Sequence, residues 1–311
     1  MARRGEYARY AMCVRFVDCF NDGIQHLFIS RRSDWEEGAP YPSGIVEFFE
    51  NVADPDKLPV FKEPVLLRMA NGEPLVCLSG SGSADICDWN GDGVMDVIME
   101  YSGPVSPTVR FFENVGNWVF EDRGIPEGLD DPLLIGRRVR WIDTPSSKMC
   151  FCGLVFRTTD GRVNRYRVVG KSENGLPRFE AIGYLEGYGC SLSAGVYSVP
   201  YVCDWDGDVG RDIVVGCDHG PVWLIRNQYR DLYDPPEVIR KIDGSMVELR
   251  LKDYPNKDFV NGMHGEMYLG MSKPQVVDWN NTGKLDILVS GLCNHLLLFN
   301  KIMRKRHISD M

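Results

Sequence analysis

The stretch CDWNGDGVMDVIME, residues 87–100, sets Asp88, Asn90, Asp92 and Asp96 at alternate or every fourth position and then runs into an apolar, β-branched segment. Acids packed against a buried strand are either a catalytic cluster or a structural loop, and internal comparison separates the two. VDCFNDGIQHLFIS (17–30), CDWDGDVGRDIVVG (203–216) and VDWNNTGKLDILVS (277–290) align with it without a gap, and IDTPSSKMCFCGLV (142–155) is a decayed fifth copy. A chemical centre is not built five times in one chain; a supersecondary unit is.

The flanks repeat too. After each strand comes a variable loop and then GIVEFFENV (44–52), TVRFFENVG (108–116), RVNRYRVVG (162–170), PVWLIRNQY (221–229) or HLLLFNKI (295–302), four of the five carrying an Asn near the end. A fourth strand is expected in FKEPVLLRMANGEPLVCL and in YDPPEVIRKIDGSMVELRL, which share a proline-containing start, apolar alternation and a Gly turn. The leading acids fall at 18, 88, 143, 204 and 278, a mean step of (278 − 18)/4 = 65 residues. Short antiparallel strands in repeated fours predict an all-β chain: a β-propeller of about five four-stranded antiparallel blades, with units starting near 11, 81, 137, 196 and 271 and the excess length in loops. A β-sandwich with chance similarity between hairpins is the competing fold. The fifth unit lacks a visible fourth strand, so the ring either closes with one thin blade or is part of a larger ring. Residues 303–311 read as a frayed basic tail.

Bulk composition narrows the partners. With 311 residues, 44% hydrophobic and 25% charged, the chain is long enough for a substantial core. A net charge of −9 and a pI near 5.2 argue against nucleic acid, which needs a basic face. No apolar run is long enough to cross a membrane, and MARRGEYARYAMCVRFVDCF at the start has no secretory-signal pattern. The ten cysteines read mostly as small buried hydrophobes; with no CxxC pair and no histidine near Cys150 and Cys152, zinc is not expected.

The pattern Asp-Trp-Asn-Gly-Asp-Gly followed by MDVIM, with its partner DWDGDVGRDIVVG, resembles the FG-GAP or VCBS repeats: calcium-loop propeller blades of integrin α-chains and many bacterial extracellular proteins, some polysaccharide lyases among them. The resemblance spans about residues 11–302. It implies the propeller fold and metal loops, and leaves activity open, since the family hosts adhesion modules, lectin-like modules and enzymes.

Elementary coordination chemistry reads the loops the same way. A hard dication takes six to eight oxygens, which a tight loop supplies from alternate side chains and one carbonyl. Asp88, Asn90, Asp92, the Val94 carbonyl and Asp96 occupy positions one, three, five, seven and nine of such a loop, and Asp204, Asp206, Asp208, the Gly210 carbonyl and Asp212 repeat it. Structural Ca²⁺ is therefore expected at both; the competing reading is an Asx-turn hairpin whose acids cap backbone amides. Asp278, Asn280 and Asp286 form a weaker set, in which Asn280 also opens an NNT sequon. The first copy puts Phe20 and His26 at ligand positions and is expected to bind nothing; the third is expected to be a plain turn.

If the acid loops join first and second strands at one face, the longer connections emerge at the other, where loops of a rigid scaffold carry function. Those segments gather Trp35, Tyr188, His219, His264 and Tyr268 as candidate ligand-binding residues, together with Arg137 and Arg138. Aromatics for sugar faces and arginines for carboxylates suit an acidic glycan. A polysaccharide lyase acting on a uronic-acid polysaccharide is the first alternative: His264 as base, Tyr268 as acid, and Arg137 or Arg138 neutralising the carboxylate. A protein-interaction or adhesion module is the second. Calcium loops suit an extracellular setting, expected if the chain belongs to a longer precursor; otherwise a cytoplasmic one is expected.

Overall fold

The computed structural model describes residues 11–32, 44–54, 57–77, 84–102, 107–129, 138–143, 148–153, 162–194, 198–208, 210–217, 220–229, 232–249, 272–279, 283–291 and 296–300. Among these residues every named element is a β-strand. The first blade is β1 (Ala11–Val17), β2 (His26–Arg32), β3 (Gly44–Phe49) and β4 (Val65–Leu66), followed by the short β5 (Arg68–Met69) and β6 (Val76–Cys77). The second is β7 (Ala84–Cys87), β8 (Asp96–Ser102), β9 (Pro107–Asn114) and β10 (Val119–Gly124). The third is β11 (Arg138–Asp143), β12 (Lys148–Gly153), β13 (Val163–Lys171) and β14 (Pro177–Tyr184), with a small hairpin after it, β15 (Glu186–Gly187) and β16 (Cys190–Ser191). The fourth comprises β17 (Val199–Cys203), β18 (Asp212–Gly216), β19 (Val222–Ile225) and β22 (Glu237–Val238), and carries a side hairpin of β20 (Asn227–Tyr229) and β21 (Leu232–Tyr233). The fifth has three described strands, β23 (Lys273–Val277), β24 (Asp286–Ser290) and β25 (Leu297–Phe299).

Within each blade neighbouring strands are antiparallel, in chain order. The first strands contact one another in a cycle: β1 with β7, β7 with β11, β11 with β17, β17 with β23, and β23 with β1. The ring is thus a β-propeller of five sheets, closed between the last blade and the first, and among the described residues four of the five carry a fourth strand. Closure within the chain is what the contacts between β23 and β1 give, with three strands of the fifth blade among the described residues.

Burial explains the inner strands. A strand between two blades has no solvent face, so β17, β18, β23 and β24 are buried at almost every position. Val14 and Phe16 pack with Val277 and Leu288 across the closure. Ala84 and Ile86 pack with Phe28, Val46 and Phe48 between the first two blades. At roughly 1.5–3 kcal/mol for each large apolar side chain taken from water, these inter-blade layers dominate the stability of the ring.

The tryptophan after the leading acid is a wedge. Trp89 stacks on Phe179 of the third blade at 5.2 Å, and Trp279 meets Phe16 of the first blade edge-on at 5.4 Å. One polar position breaks the apolar inner strands: three residues before each leading acid stand Arg15, Asp85, Arg140, Tyr201 and Gln275. Arg15 and Asp85 form a buried ion pair at 2.9 Å, and Gln275 Nε2 donates to the Phe16 carbonyl (3.2 Å) and to the Tyr201 hydroxyl (3.5 Å). Polar groups at one register on converging strands tie first blade to second and fifth to first and fourth, fixing how the strands align along the axis.

The paired outer segments are also equivalent. Arg68 Nη1 donates to the Gly72 carbonyl and Arg240 Nη1 to the Gly244 carbonyl, each closing the same Gly turn. The first of these hairpins does more than complete its blade, because β5 pairs in parallel with β10 of the next.

Candidate metal centre

Each described acid loop joins the first and second strands of its blade, as the repeat predicts. In the second loop, Asp88 Oδ1 accepts the amides of Gly91 (2.7 Å) and Asp92 (3.0 Å), and Oδ2 that of Gly93 (3.0 Å). Gly91 and Gly93 have φ of 83° and 88°, values that explain glycine at both turns. Asp92 Oδ1 accepts the Val94 amide (2.8 Å), while the Asn90 amide nitrogen donates to Asp92 and to Glu113 Oε1, both at 2.9 Å. The loop is thus a nest of Asx turns, with the side-chain nitrogen of Asn90 turned to its acids.

The fourth loop gathers charge more tightly. One oxygen from each of Asp204, Asp206 and Asp208 lies within 4.8 Å of the others, the one such group of three or more ligand types among the described residues. Asp204 Oδ1 accepts the amides of Gly207 (2.8 Å) and Asp208 (3.1 Å), and Asp208 Oδ1 that of Gly210 (2.7 Å). A side chain at position 210 would meet Asp208 Oδ1 at 2.6 Å and the Asn227 carbonyl at 2.9 Å, which keeps glycine there. Burial raises the Asp206 carboxyl above its ordinary range, the charges of Asp208 and Asp204 add to the rise, and Arg226 opposes it. Arg226 is held 3.6 Å from Asp206 and 2.6 Å from Glu237, so it offsets part of the negative charge.

Oxygens around one Ca²⁺, at about 2.3–2.6 Å from the ion, lie up to about 5 Å apart, and the fourth-loop carboxylates meet that spacing. The donor set fits the ion. Asp204, Asp206 and Asp208 would hold it, with Asp212 and the Gly210 carbonyl next in sequence to complete the shell.

Position nine has a second task that spacing did not reveal. Asp96 is fully buried, its Oδ2 accepting the Trp89 amide (3.2 Å) and its Oδ1 the Asn114 amide (2.9 Å). Asp212 does the same with Trp205 (2.8 Å) and Asn227 (2.9 Å). Burial pushes the Asp96 carboxyl up to about 7 and that of Asp212 to about 6, against the lowering effect of those amides. The acid therefore locks the tryptophan wedge and the third strand to the loop. The recurring Asn near the strand end was the available signal for this lock. Asn114 also bonds the Met95 carbonyl (3.1 Å) and the Gly116 amide (3.0 Å).

The remaining candidates are spread out. Asp278 accepts the Gly283 amide (2.6 Å) and Asp286 the Asn300 side chain (3.2 Å), while Asn280 lies outside the described residues. Trp35, Arg137, His219, His264 and Tyr268 lie outside them as well, and Arg138 is placed on β11 by its backbone. Tyr188 is described, at the tip of the β15–β16 hairpin, its hydroxyl 3.4 Å from Asp234. Asp234 follows β21, and its amide binds the Arg226 carbonyl (2.8 Å), next to the Asn227 that meets Asp212. Tyr188 thus approaches the acid-loop end of the fourth blade.

The chain matches no protein-family model and no curated protein. Fold and loops together define a β-propeller with an acidic oxygen cluster on one blade. No described helix is long and apolar enough to cross a membrane.

Proposed function

We propose that the protein is a calcium-stapled β-propeller that binds an acidic glycan through the loops at the end opposite its acid loops. The observation that carries the metal half is the convergence of the Asp204, Asp206 and Asp208 oxygens within 4.8 Å, with Asp206 raised by burial and by its neighbours' charge. Three carboxylates held together repel one another; a cation converts that repulsion into binding free energy coupled to folding. The ion's contribution is structural, a staple between two strands and the wedge beneath them. Likeness of the repeats to FG-GAP and VCBS blades supports the same reading.

The glycan half rests on topology and residue chemistry. In each of the first three blades the second strand ends, and the third begins, away from the acid loop, with residues 33–43, 103–106 and 154–162 between them in sequence. Trp35, His219, His264, Tyr268, Arg137 and Arg138 belong to segments assigned to that end. Aromatic faces and guanidinium forks are the groups that take sugar rings and uronate carboxylates.

Two measurements test the proposal. Thermal melts with calcium and with a chelator should differ by several degrees, elemental analysis should find calcium, and the protein should be retained on immobilised uronate polysaccharides. Identical melts with no bound calcium refute the staple; passage through every acidic polysaccharide refutes the glycan.

A further inference from the structure

Four described non-glycine residues have positive φ: Asn21, Asn117, Trp118 and Tyr188. Asparagine tolerates that region through its short polar side chain. Trp118 does not, but its ring stacks on Phe48 at 4.7 Å and packs against Phe28 at 5.4 Å, which offsets the strain. Tyr188 has neither excuse. It is 67% exposed, and φ of 53° at Tyr188 and 79° at Gly189 marks the two-residue turn between Gly187 and Cys190 as type I′, where Asn, Asp or Gly is preferred. A strained, exposed aromatic that packing does not require points to a surface role.

The ring is also anchored. A side chain at Gly187 would meet the Tyr233 carbonyl at 2.1 Å, so the hairpin sits directly on β21. Leu185 and Leu192, at its base, are buried among Val163, Val215 and Tyr233. The Tyr188 hydroxyl reaches Asp234 Oδ1 at 3.4 Å, a long and weak bond, and Gln228 Nε2 binds the other oxygen. A flat apolar face thus stands beside a carboxylate and an amide whose acceptors and donors are held ready.

We propose that Tyr188, Asp234 and Gln228 form a subsite for a neutral pyranose: its C–H face on the tyrosine ring, adjacent hydroxyls donating to Asp234 and accepting from Gln228. Charge selects the class. Asp234 and the exposed Glu186 repel a uronate, and the nearby Arg226 is engaged by Glu237 and Asp206. This subsite rests on the reading of the protein as a glycan binder, and adds to its acidic site a second one of different sugar chemistry.

The test is saturation-transfer NMR on the intact protein with glucose-, galactose-, mannose- and N-acetylglucosamine-based neutral oligosaccharides, comparing wild type with Tyr188→Asn, Tyr188→Phe and Asp234→Asn. Asparagine is the better residue for the turn, so Tyr188→Asn should keep or raise the melting temperature while weakening the best sugar at least tenfold. Tyr188→Phe should stay within about threefold, and Asp234→Asn should weaken it. Absence of saturation with all four classes, or undiminished binding by Tyr188→Asn, overturns the proposal. A fall of several degrees in Tyr188→Asn makes the tyrosine structural and overturns it too. Retention on acidic polysaccharide, measured on the same samples, is independent: its loss in wild type with neutral sugars still bound refutes the acidic site alone, and the reverse refutes this subsite alone.

Discussion

The first and second acid loops have the same frame and opposite chemistry. In both, the leading acid binds the amides of the turn: Asp18 those of Asp22 and Gly23, Asp88 those of Gly91, Asp92 and Gly93. In both, the strand-end asparagine bonds back to the loop, Asn51 to the Gln25 carbonyl at 3.2 Å and Asn114 to the Met95 carbonyl at 3.1 Å. At position nine the second loop has Asp96, and the first has His26, whose Nδ1 accepts the Asn51 amide at 3.1 Å. At position three the second has Asn90 and the first Phe20, which meets the His26 ring edge-on at 4.7 Å. The turn survives the loss of the position-nine acid, with Asp18 and Asp22 still capping its amides. Under the calcium proposal the position-nine acid adds a ligand beyond the turn, and what the first, second and fourth blades share is an acceptor there for the third strand.

The largest expected effect breaks that acceptor. Asp96→Ala leaves two buried amides, of Trp89 and Asn114, without their partner and should cost about 2–5 kcal/mol in urea unfolding. His26→Ala orphans the Asn51 amide and should cost roughly 1–3 kcal/mol. Losses below about 1 kcal/mol in both variants would show that the acceptor does not hold the third strand.

Next comes calcium itself. An ion at one hundred times its dissociation constant adds about 2.7 kcal/mol per occupied loop. Asp206→Asn with Asp208→Asn should remove the fourth loop's share of the calcium-dependent rise in melting temperature, and Asp18→Asn in the first loop should leave the rise unchanged. A first-loop variant that abolishes the response would place the ion in the wrong blade.

How much of this was legible follows from what a sequence repeats. The acid at the head of each loop and the alternation behind it recur at fixed register, so blade count, strand order and the face of the acid loops could be read directly. Closure could not, because it depends on contacts between residues such as Phe16 and Gln275, remote in the chain and unlike in type. The axial residues Arg15, Asp85, Tyr201 and Gln275 share a register but no chemistry, and a search for similarity passes over them. The second role of position nine was hidden because spacing records which residues are near, not which groups they already serve. Arg226 stayed hidden for the opposite reason: it follows the third strand, a long way from the loop it neutralises.

Acidity separates the two position-nine residues by sign. In calcium-free protein the folded carboxyl of Asp96, at about 7, lies above its unfolded value, so its favourable contribution is complete at low pH and is lost as pH rises toward 7 and beyond. Burial lowers the His26 imidazole, so its contribution is complete above the ordinary histidine range and is lost as pH falls through the folded value. Asp96→Asn should flatten the decline of melting temperature between about pH 4 and pH 7, and His26→Gln should flatten the acid limb below about pH 6. Bound calcium keeps the loop carboxylates ionised and should remove the first slope while leaving the second.

The smallest net change in stability is expected from converting one loop into the other. Phe20→Asn with His26→Asp gives the first loop the donor types of the second: Asp18 at position one, the new amide at three, Asp22 at five, the Ile24 carbonyl at seven and the new carboxylate at nine. Phe20 is 51% exposed, so losing its ring contacts is cheap, and a carboxylate in place of the imidazole can still accept the Asn51 amide. The net effect in chelator should stay within about 1–2 kcal/mol. Two gains should accompany it: terbium luminescence excited through Trp118, which packs on Phe48 beside the loop, and a pH slope of the Asp96 sign where the histidine limb had been. If the double variant folds, keeps the wild-type pH profile and binds no lanthanide, the difference between the loops lies outside these two side chains, and Glu50 with its Lys62 partner, beside the asparagine, is the next place to exchange.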